Sequence, residues 1–345
     1  MMMARYELHN VAETVKTEGE GALFQRVPEA VRRELREASQ SVYQAAAGCE
    51  IRLVAGADAS PVRITLVSQE APSQAYFYMG DFAVSAYTIG TEPTTIELAP
   101  PELCFLTTPI ADSPRLRGAF APQVWRLLFQ GGRIQLLNVE GEGIRAPRAE
   151  ELPSLRYLAY GTSITQGYSA THPALSYVSQ TAWRLKADVI NLGASGTAFC
   201  EPALAHYIAD RTDWDILTLC LSVNMLGLGV SAAEFEEKAG YFVRTIAEAH
   251  QGKPIACISL FPSYHDLGLS RPNRHPVSTA AEYREVLRGI AEDKVLPNVH
   301  YIDGRELLSD MRGLTQDLLH PDDQGMIEIG EKLAPRLSAM LNAVK

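Results

Sequence analysis

Hydrophobic and polar positions follow two different patterns along this chain, and the change falls near Pro153. Before Pro153, short β-type runs are punctuated by glycine and proline, which is typical of strands joined by turns. After it, short continuous apolar runs alternate with longer segments of helical periodicity, which indicates βαβ units. The pattern therefore predicts two domains, residues 1–152 and residues 153–345.

The N-terminal domain is predicted to be an all-β sandwich of the jelly-roll kind, because its strands are short and are separated by turn residues. The predicted strands are Cys49–Val54, Val62–Ser68, Ala75–Tyr78, Phe82–Ile89, Thr94–Leu98, Val124–Phe129 and Arg133–Glu140. One charged helical stretch, Pro28–Tyr43, interrupts this pattern, and we expect most of its face to be solvated.

The C-terminal domain is predicted to be an α/β domain in which helices cover both faces of a parallel sheet, because its strands are nearly continuous in apolar residues. The predicted strands are Arg156–Tyr160, Asp188–Leu192, Ile216–Leu221, Pro254–Leu260 and Val299–Ile302. The predicted helices include Ala174–Lys186, Ala232–His250 and a closing helix, Pro321–Lys345.

Composition narrows the class of protein. The net charge of −10 argues against nucleic acid as a partner, because phosphate binding needs a basic surface. The five cysteines are far apart and form no CxxC pair, so they indicate neither a disulfide framework nor a zinc site. Met1–Glu20 has no apolar signal segment, and no apolar run could cross a bilayer. We therefore expect a cytoplasmic protein with no membrane partner.

Polar residues follow three of the predicted strands. Ser163 comes after the first strand of the C-terminal domain, Gly193 after the second and Asn224 after the third. Ligands of open α/β sheets bind outside the carboxyl ends of the strands. The sequence therefore predicts that these residues face one crevice.

A histidine and a carboxylate suited to activating a serine lie near the C-terminus. Asp317 precedes His320 by three residues, between the last predicted strand and the last helix. In one turn, the carboxylate can hold the imidazole Nδ1 while Nε2 faces the hydroxyl of Ser163. The main-chain N–H groups of Ser163 and Gly193 and the side-chain amide of Asn224 are the candidate donors to an oxyanion.

Each of these residues also has a purely structural interpretation. Ser163 alone fits a helix cap, Gly193 a turn glycine and Asn224 a loop residue or cap. Asp317 and His320 alone fit a charge pair at a helix start. Their order, each just beyond a strand or before the final helix, favours catalysis over coincidence.

The same segments resemble the sequence blocks of the SGNH (GDSL-like) hydrolase family. Gly161–Gly167 resembles the first block, GDSxxxG, and Asn191–Gly193 resembles the second. Ser222–Met225 resembles the third block, and Asp317–His320 resembles the final DxxH. The resemblance implies a flavodoxin-like, three-layer α/β/α catalytic domain that uses no cofactor and no metal. A β-rich domain ahead of it resembles a two-domain bacterial variety of the family.

Two positions depart from the family pattern. Thr162 stands in place of the usual aspartate, and Ser222-Val223-Asn224-Met225 stands in place of the common GxND. Neither change removes a group that the chemistry requires. These two departures distinguish this chain from the best-described GDSL lipases. The substrates of those lipases are therefore not assumed for this chain.

We expect a serine esterase that hydrolyses a small acyl ester, with acetyl as the expected group and a small molecule or carbohydrate as the alcohol. One alternative is an acyltransferase that passes the acyl group from the same serine to another alcohol. Another is a non-catalytic binding protein, which the intact set of Ser163, Asp317 and His320 argues against. An α/β-hydrolase is disfavoured because no G-x-S-x-G surrounds Ser163, and a homo-oligomer is left open.

A long polar stretch, Phe261–Pro276, is predicted to be a loop over the site. It contains four residues that either form a solvated loop or contact the substrate. These residues are His265, Arg271, Arg274 and His275.

Overall fold

Alternating burial along the N-terminal strands builds two antiparallel sheets. In the computed structural model, which describes residues 5–16, 21–56, 60–102, 104, 106, 120–272 and 275–343, one sheet has the strand order β1-β4-β9-β6-β7 and the other β2-β3-β10-β5-β8. The strands are β1 (Glu7–His9), β2 (Glu13–Lys16), β3 (Ala22–Gln25), β4 (Glu50–Val54), β5 (Val62–Ser68), β6 (Ser73–Met79), β7 (Phe82–Ile89), β8 (Thr94–Leu98), β9 (Val124–Phe129) and β10 (Ile134–Glu140).

The two antiparallel sheets share one hydrophobic core, so this part of the chain is a β-sandwich. Ile51 and Phe77 come from one sheet and Ile64 and Leu136 from the other, and all four belong to the same buried cluster. β5 alternates between buried and more exposed positions along its length, as expected of a strand with one face on a core. The predicted sandwich is confirmed.

The sequence prediction missed the first three strands and joined two helices into one. α1 (Glu29–Glu34) and α2 (Glu37–Gln40) are separate, because Arg36 is extended, with φ −55° and ψ 145°. The N–H of Arg36 donates to Glu201 Oε1 at 2.7 Å instead of to a carbonyl one turn earlier. A tertiary contact therefore ends α1, and the local sequence does not encode it.

The C-terminal strands form a parallel sheet of order β12-β11-β13-β14-β15. They are β11 (Leu155–Gly161), β12 (Ala187–Gly193), β13 (Ile216–Cys220), β14 (Ile255–Ile258) and β15 (Val299–Ile302). The helices are α3 (Ser163–Gln166), α4 (Tyr177–Leu185), α5 (Pro202–Asp210), α6 (Val223–Gly227), α7 (Ala232–Ala249), α8 (Ala280–Ala291), α9 (Gly304–Leu307) and α10 (Asp323–Ala343). This order is that of flavodoxin-like folds, and it confirms the predicted fold class.

Helices pack in two groups around the sheet. α4 packs against α10, while α7 packs against both α5 and α8. Right-handed crossovers place such groups on opposite faces, which gives three layers. The strand order reverses between β11 and β13, and the carboxyl ends of strands at such a switch point open onto a crevice.

Clustering of contacts divides the chain into two compact units. The first comprises the described parts of Met1–Arg32, Tyr43–Ser154 and Lys186–Asp188, and the second comprises those of Arg33–Val42, Leu155–Leu185 and Val189–Lys345. Residues 33–42, which precede the predicted boundary at residue 153, thus group with the parallel-sheet unit. Within the described residues, no helix combines the length and the apolar character needed to span a bilayer.

Candidate active site

Ser163 is held at a sharp junction between β11 and α3. Gly161 ends the strand, and a Cβ atom there would lie 2.2 Å from Thr165 Oγ1 and 2.8 Å from the carbonyl oxygen of Cys220, so only glycine fits. Thr162 caps the helix by accepting a hydrogen bond from the N–H of Ile164 at 3.3 Å. The threonine at the position of the family's aspartate therefore has a structural task at the start of α3.

Ser163, His320 and Asp317 form a continuous hydrogen-bonded chain. Ser163 Oγ lies 2.8 Å from His320 Nε2, and His320 Nδ1 lies 2.6 Å from Asp317 Oδ2. Ser163 is 4% exposed and His320 is 8% exposed, so both groups meet largely outside bulk water. The three residues predicted from the sequence thus lie together, in the arrangement that a nucleophile, a base and an orienting carboxylate require.

Several nearby hydrogen-bond donors hold the Asp317 carboxylate in one orientation. Its Oδ1 atom accepts hydrogen bonds from the main-chain N–H groups of Leu319 and His320 and from Thr315 Oγ1 at 2.8–3.0 Å. Burial acts to raise the pKa of Asp317, but the main-chain and ring N–H groups of His320 hold this pKa well below its ordinary range. The carboxylate is therefore charged throughout the physiological range.

The turn that carries Asp317 and His320 is tied to the polar loop after β14. Leu318 has a φ of +51°, in the left-handed region, and its carbonyl accepts the N–H of Tyr264 at 2.7 Å. The His320 carbonyl accepts the N–H of Thr315 at 2.8 Å and closes the turn. A strained residue between the two polar groups is consistent with a functional turn whose shape the surroundings enforce.

Asn224 stands at the start of α6, directly beyond β13. Ser222, two residues earlier, has a φ of +107°, so a serine here occupies a backbone conformation that favours glycine. This explains in physical terms why the common GxND block has glycine at the corresponding place. The Asn224 Oδ1 atom accepts the N–H of Ala198 at 3.1 Å, which leaves the amide NH₂ group pointing elsewhere.

Gly193 and Gly196 differ in how their N–H groups are used. The N–H of Gly193 donates to Asn191 Oδ1 at 2.8 Å, and a Cβ atom on Gly193 would lie 2.3 Å from the nitrogen of Gln166. Gly193 thus lies close against the main chain of α3, with no room for a side chain. Gly196 has a φ of +72° and open space at its Cβ position.

In the loop after β12, the main-chain N–H groups on both sides of Gly196 form hydrogen bonds. The N–H groups of Ala194, Ser195, Thr197 and Ala198 all donate to identified acceptors. For the N–H of Gly196, the described part of the chain provides no recorded acceptor. Gly196 is not among the site residues predicted from the sequence, although it is the second glycine of Gly193-Ala194-Ser195-Gly196.

Three of the four polar residues singled out in the loop Phe261–Pro276 lie within the described residues, and one of them contacts Asp317. Arg271 is exposed, and its guanidinium is 3.5 Å from Asp317 Oδ2, a long ion pair. His265 packs its ring on Tyr264, with centroids 4.2 Å apart, and His275 is exposed. Arg274 lies outside the described residues. A residue absent from the sequence analysis, Tyr168, lies against His320 with ring centroids 4.8 Å apart.

Comparison with known proteins gives one family match. The family model described as GDSL-like Lipase/Acylhydrolase family matches residues 159–326, a stretch that contains Ser163, Asn224 and the Asp317–His320 turn. No curated protein matches the chain.

Several solved structures share the fold. A salicylyl-acyltransferase, SsfX3, from a tetracycline biosynthetic pathway superposes with a TM-score of 0.77 at 16% identity, over 97% of this chain and 95% of the other. A family two carbohydrate esterase from Cellvibrio japonicus gives 0.64 at 14% identity, over 99% and 96%. One from Clostridium thermocellum, in complex with cellohexaose, gives 0.63 at 12% identity, over 97% and 99%. At these identities the likeness shows the fold of the whole chain.

Proposed function

We propose that this chain catalyses hydrolysis or transfer of an acyl ester and that Ser163 is its nucleophile, since residues 159–326 match the model of the GDSL-like Lipase/Acylhydrolase family. One observation carries the proposal: Ser163 Oγ, His320 and Asp317 are joined in series by hydrogen bonds of 2.8 and 2.6 Å. A serine needs a neighbouring base to attack a carbonyl, and a base needs an orienting group.

In the proposed mechanism, His320 Nε2 takes the proton of Ser163 as Oγ attacks the acyl carbonyl carbon. The tetrahedral intermediate collapses when His320 returns the proton to the leaving alcohol, which departs and leaves the acyl group on Ser163. Water then repeats the sequence and releases the acid. Asp317 remains a carboxylate and stabilises the imidazolium of His320 in both halves.

The oxyanion is proposed to be held by the N–H of Ser163, the N–H of Gly196 and the amide NH₂ of Asn224. The bond from Ala198 to Asn224 Oδ1 supports the role of Asn224, because it orients the donor end of the amide away from that loop. The engaged N–H of Gly193 supports Gly196 in place of the glycine expected from sequence. Preset donors of this kind act where charge develops in the transition state.

The proposed substrate is a small acyl ester, with acetyl as the first acyl group to test and a carbohydrate as the first alcohol. The family two carbohydrate esterases that share the whole fold support this choice. The acyltransferase that superposes on 97% of this chain supports the second candidate, which is transfer of the acyl group to an acceptor alcohol. Both candidates use the same acyl-enzyme on Ser163.

The deciding experiment measures hydrolysis of 4-nitrophenyl esters from acetyl to octanoyl by the wild type, Ser163→Ala and Ser195→Ala. We expect kcat to be greatest on acetyl and to fall by about 10⁴-fold or more in Ser163→Ala. Ser195 is the matched control, since its N–H group, not its hydroxyl, makes its recorded bond. Near-wild-type activity of folded Ser163→Ala would sink the mechanism.

Water and an acceptor alcohol separate the two candidate functions. Adding methanol or a sugar alcohol to the acetyl-ester assay traps the acyl-enzyme as a new ester. A product ratio that favours the new ester far beyond the molar share of the alcohol would identify a transferase. Release of acetate in proportion to water would identify a hydrolase.

A further inference from the structure

The backbone of Tyr168 is tied directly to the proposed nucleophile. The N–H groups of Gly167 and Tyr168 both donate to the carbonyl oxygen of Ser163, at 3.0 and 2.9 Å. Gly167 has a φ of +90°, and a Cβ atom on it would lie 2.8 Å from the Cβ of Ser176, so the turn requires glycine. The position of Tyr168 relative to Ser163 is therefore fixed by the main chain.

The side chain of Tyr168 is presented to solvent at the triad. Its ring lies against His320, with centroids 4.8 Å apart and planes inclined at 46°, yet the residue is 65% exposed. Among the described residues, its hydroxyl forms no hydrogen bond. A large aromatic face that is rigidly placed but left in water contributes little to the core, and it gains most when a ligand covers it.

The stereochemistry of acyl transfer decides which half of a substrate meets this ring. In the tetrahedral intermediate the oxyanion points to the donors, while the leaving oxygen must accept its proton from His320 Nε2. The alcohol half therefore departs past the imidazole. Tyr168 covers that imidazole, so it stands on the alcohol side of the site.

We propose that Tyr168 is a binding residue for the alcohol half of the ester, or for the acceptor alcohol in a transfer reaction. The inference rests on the proposed function of the Ser163 site and goes beyond it by assigning the recognition of one substrate half. The alcohol it selects presents a flat, largely apolar ring face, either the C–H face of a pyranose or an aromatic ring. The solvent-exposed hydroxyl of Tyr168 can add a hydrogen bond to a ring substituent.

The test varies the alcohol while the acyl group stays constant. Ethyl acetate, phenyl acetate and an O-acetylated methyl glucoside are compared with the wild type, Tyr168→Ala, Tyr168→Phe and Tyr168→Trp. Since kcat/KM covers the steps up to departure of the alcohol, it reports the alcohol half, whereas all acetates share one acetyl-enzyme. Ethyl butyrate against ethyl acetate measures the acyl half.

We expect Tyr168→Ala to lower kcat/KM for the ring esters about tenfold more than for ethyl acetate, mainly through KM. Tyr168→Phe and Tyr168→Trp should keep most of the ring preference. The matched control is Trp183→Ala on α4, since Trp183 is 63% exposed and should not alter the ratio between esters. Loss on the glucoside alone points to a sugar alcohol, and loss on phenyl acetate alone points to an aromatic one.

Two results would overturn the inference. An equal loss on all acetates would mean that Tyr168 only shields His320, and a changed butyrate-to-acetate ratio would place it on the acyl side. Failure of the proposed function looks different, because wild-type protein would then cleave none of the esters, with or without an added acceptor alcohol. That outcome would remove both proposals together.

Discussion

The N–H of Ala198 donates to Asn224 Oδ1 at 3.1 Å, so the loop after β12 sets the orientation of an amide that follows β13. Asn224→Ala should lower kcat by about 10²–10³-fold with a smaller change in KM, because the lost donor acts mainly in the transition state. Steady-state kinetics on an acetyl ester check this prediction.

Asn224→Asp is the sharper variant at this position. It keeps the size of the side chain and an oxygen that can accept from Ala198, but it replaces the NH₂ donor by a second acceptor. Activity should therefore fall at least as far as in Asn224→Ala, while circular dichroism shows an intact fold. Full activity in Asn224→Asp would exclude Asn224 as an oxyanion donor.

Gly193 and Gly196 should respond differently to an added methyl group. Gly193→Ala places a Cβ atom against the main chain of Gln166 and should reduce the free energy of unfolding by about 2 kcal/mol or more. Gly196→Ala meets open space and has only its left-handed conformation to maintain, at a cost of about 1 kcal/mol. Urea denaturation of both variants measures the contrast. Equal losses would contradict the different packing of the two glycines.

Relief of the backbone strain at Ser222 should stabilise the protein. Ser222→Gly removes the side chain from a residue with a φ of +107° and should raise the free energy of unfolding by about 1 kcal/mol. Ser222→Ala keeps the strain and serves as the control for loss of the hydroxyl. A less stable Ser222→Gly protein would show that the side chain contributes more than its conformation costs.

Asp317→Asn should slow catalysis by about 10³–10⁴-fold, and His320→Ala should slow it further, because the asparagine removes only orientation and charge. The kcat values of the two variants on one acetyl ester test this order. A greater loss of kcat in Asp317→Asn than in His320→Ala would contradict the assignment of His320 as the base.

The effect of Asp317→Asn on the free energy of unfolding should depend on pH. Burial opposes the charge on Asp317, but the donors from His320 hold its pKa below the unfolded value of about 3.9. The carboxylate therefore stabilises the fold above that value, and the contribution is lost as the pH falls toward the lower, folded pKa. The stability difference between wild type and Asp317→Asn should be constant above about pH 5 and shrink below pH 4. A difference that grows in acid would contradict this sign.

The sequence predicts several strands with the same first and last residues as the structure shows. Val62–Ser68, Phe82–Ile89, Thr94–Leu98 and Val299–Ile302 are observed as predicted, because hydrophobic residues there follow the period of a strand and turn residues border them. The first three strands were missed, since each has only three or four residues and β1 and β2 consist mostly of polar side chains. Such short segments take their conformation from their neighbours in the sheet.

The grouping of Ser163, Asp317 and His320 could be predicted because these residues lie at a strand end and in one short turn, which are local features. The proposed choice of Gly196 over Gly193 could not be predicted, because it depends on the orientation of the Asn191 side chain in the fold, where Oδ1 accepts the N–H of Gly193. The predicted strand ended at Leu192, whereas β12 continues through Gly193. One more residue of strand places Gly193 against α3 and moves the turn to Gly196.

The two N–H groups that converge on the carbonyl of Ser163 have a consequence for every catalytic cycle. They hold the main chain of Ser163 in one conformation, together with the start of α3 and the turn through Gly167. The entropy of arranging these groups is therefore lost once, when the chain folds, and not again at each turnover. An incoming ester therefore meets a serine whose main chain is already in place.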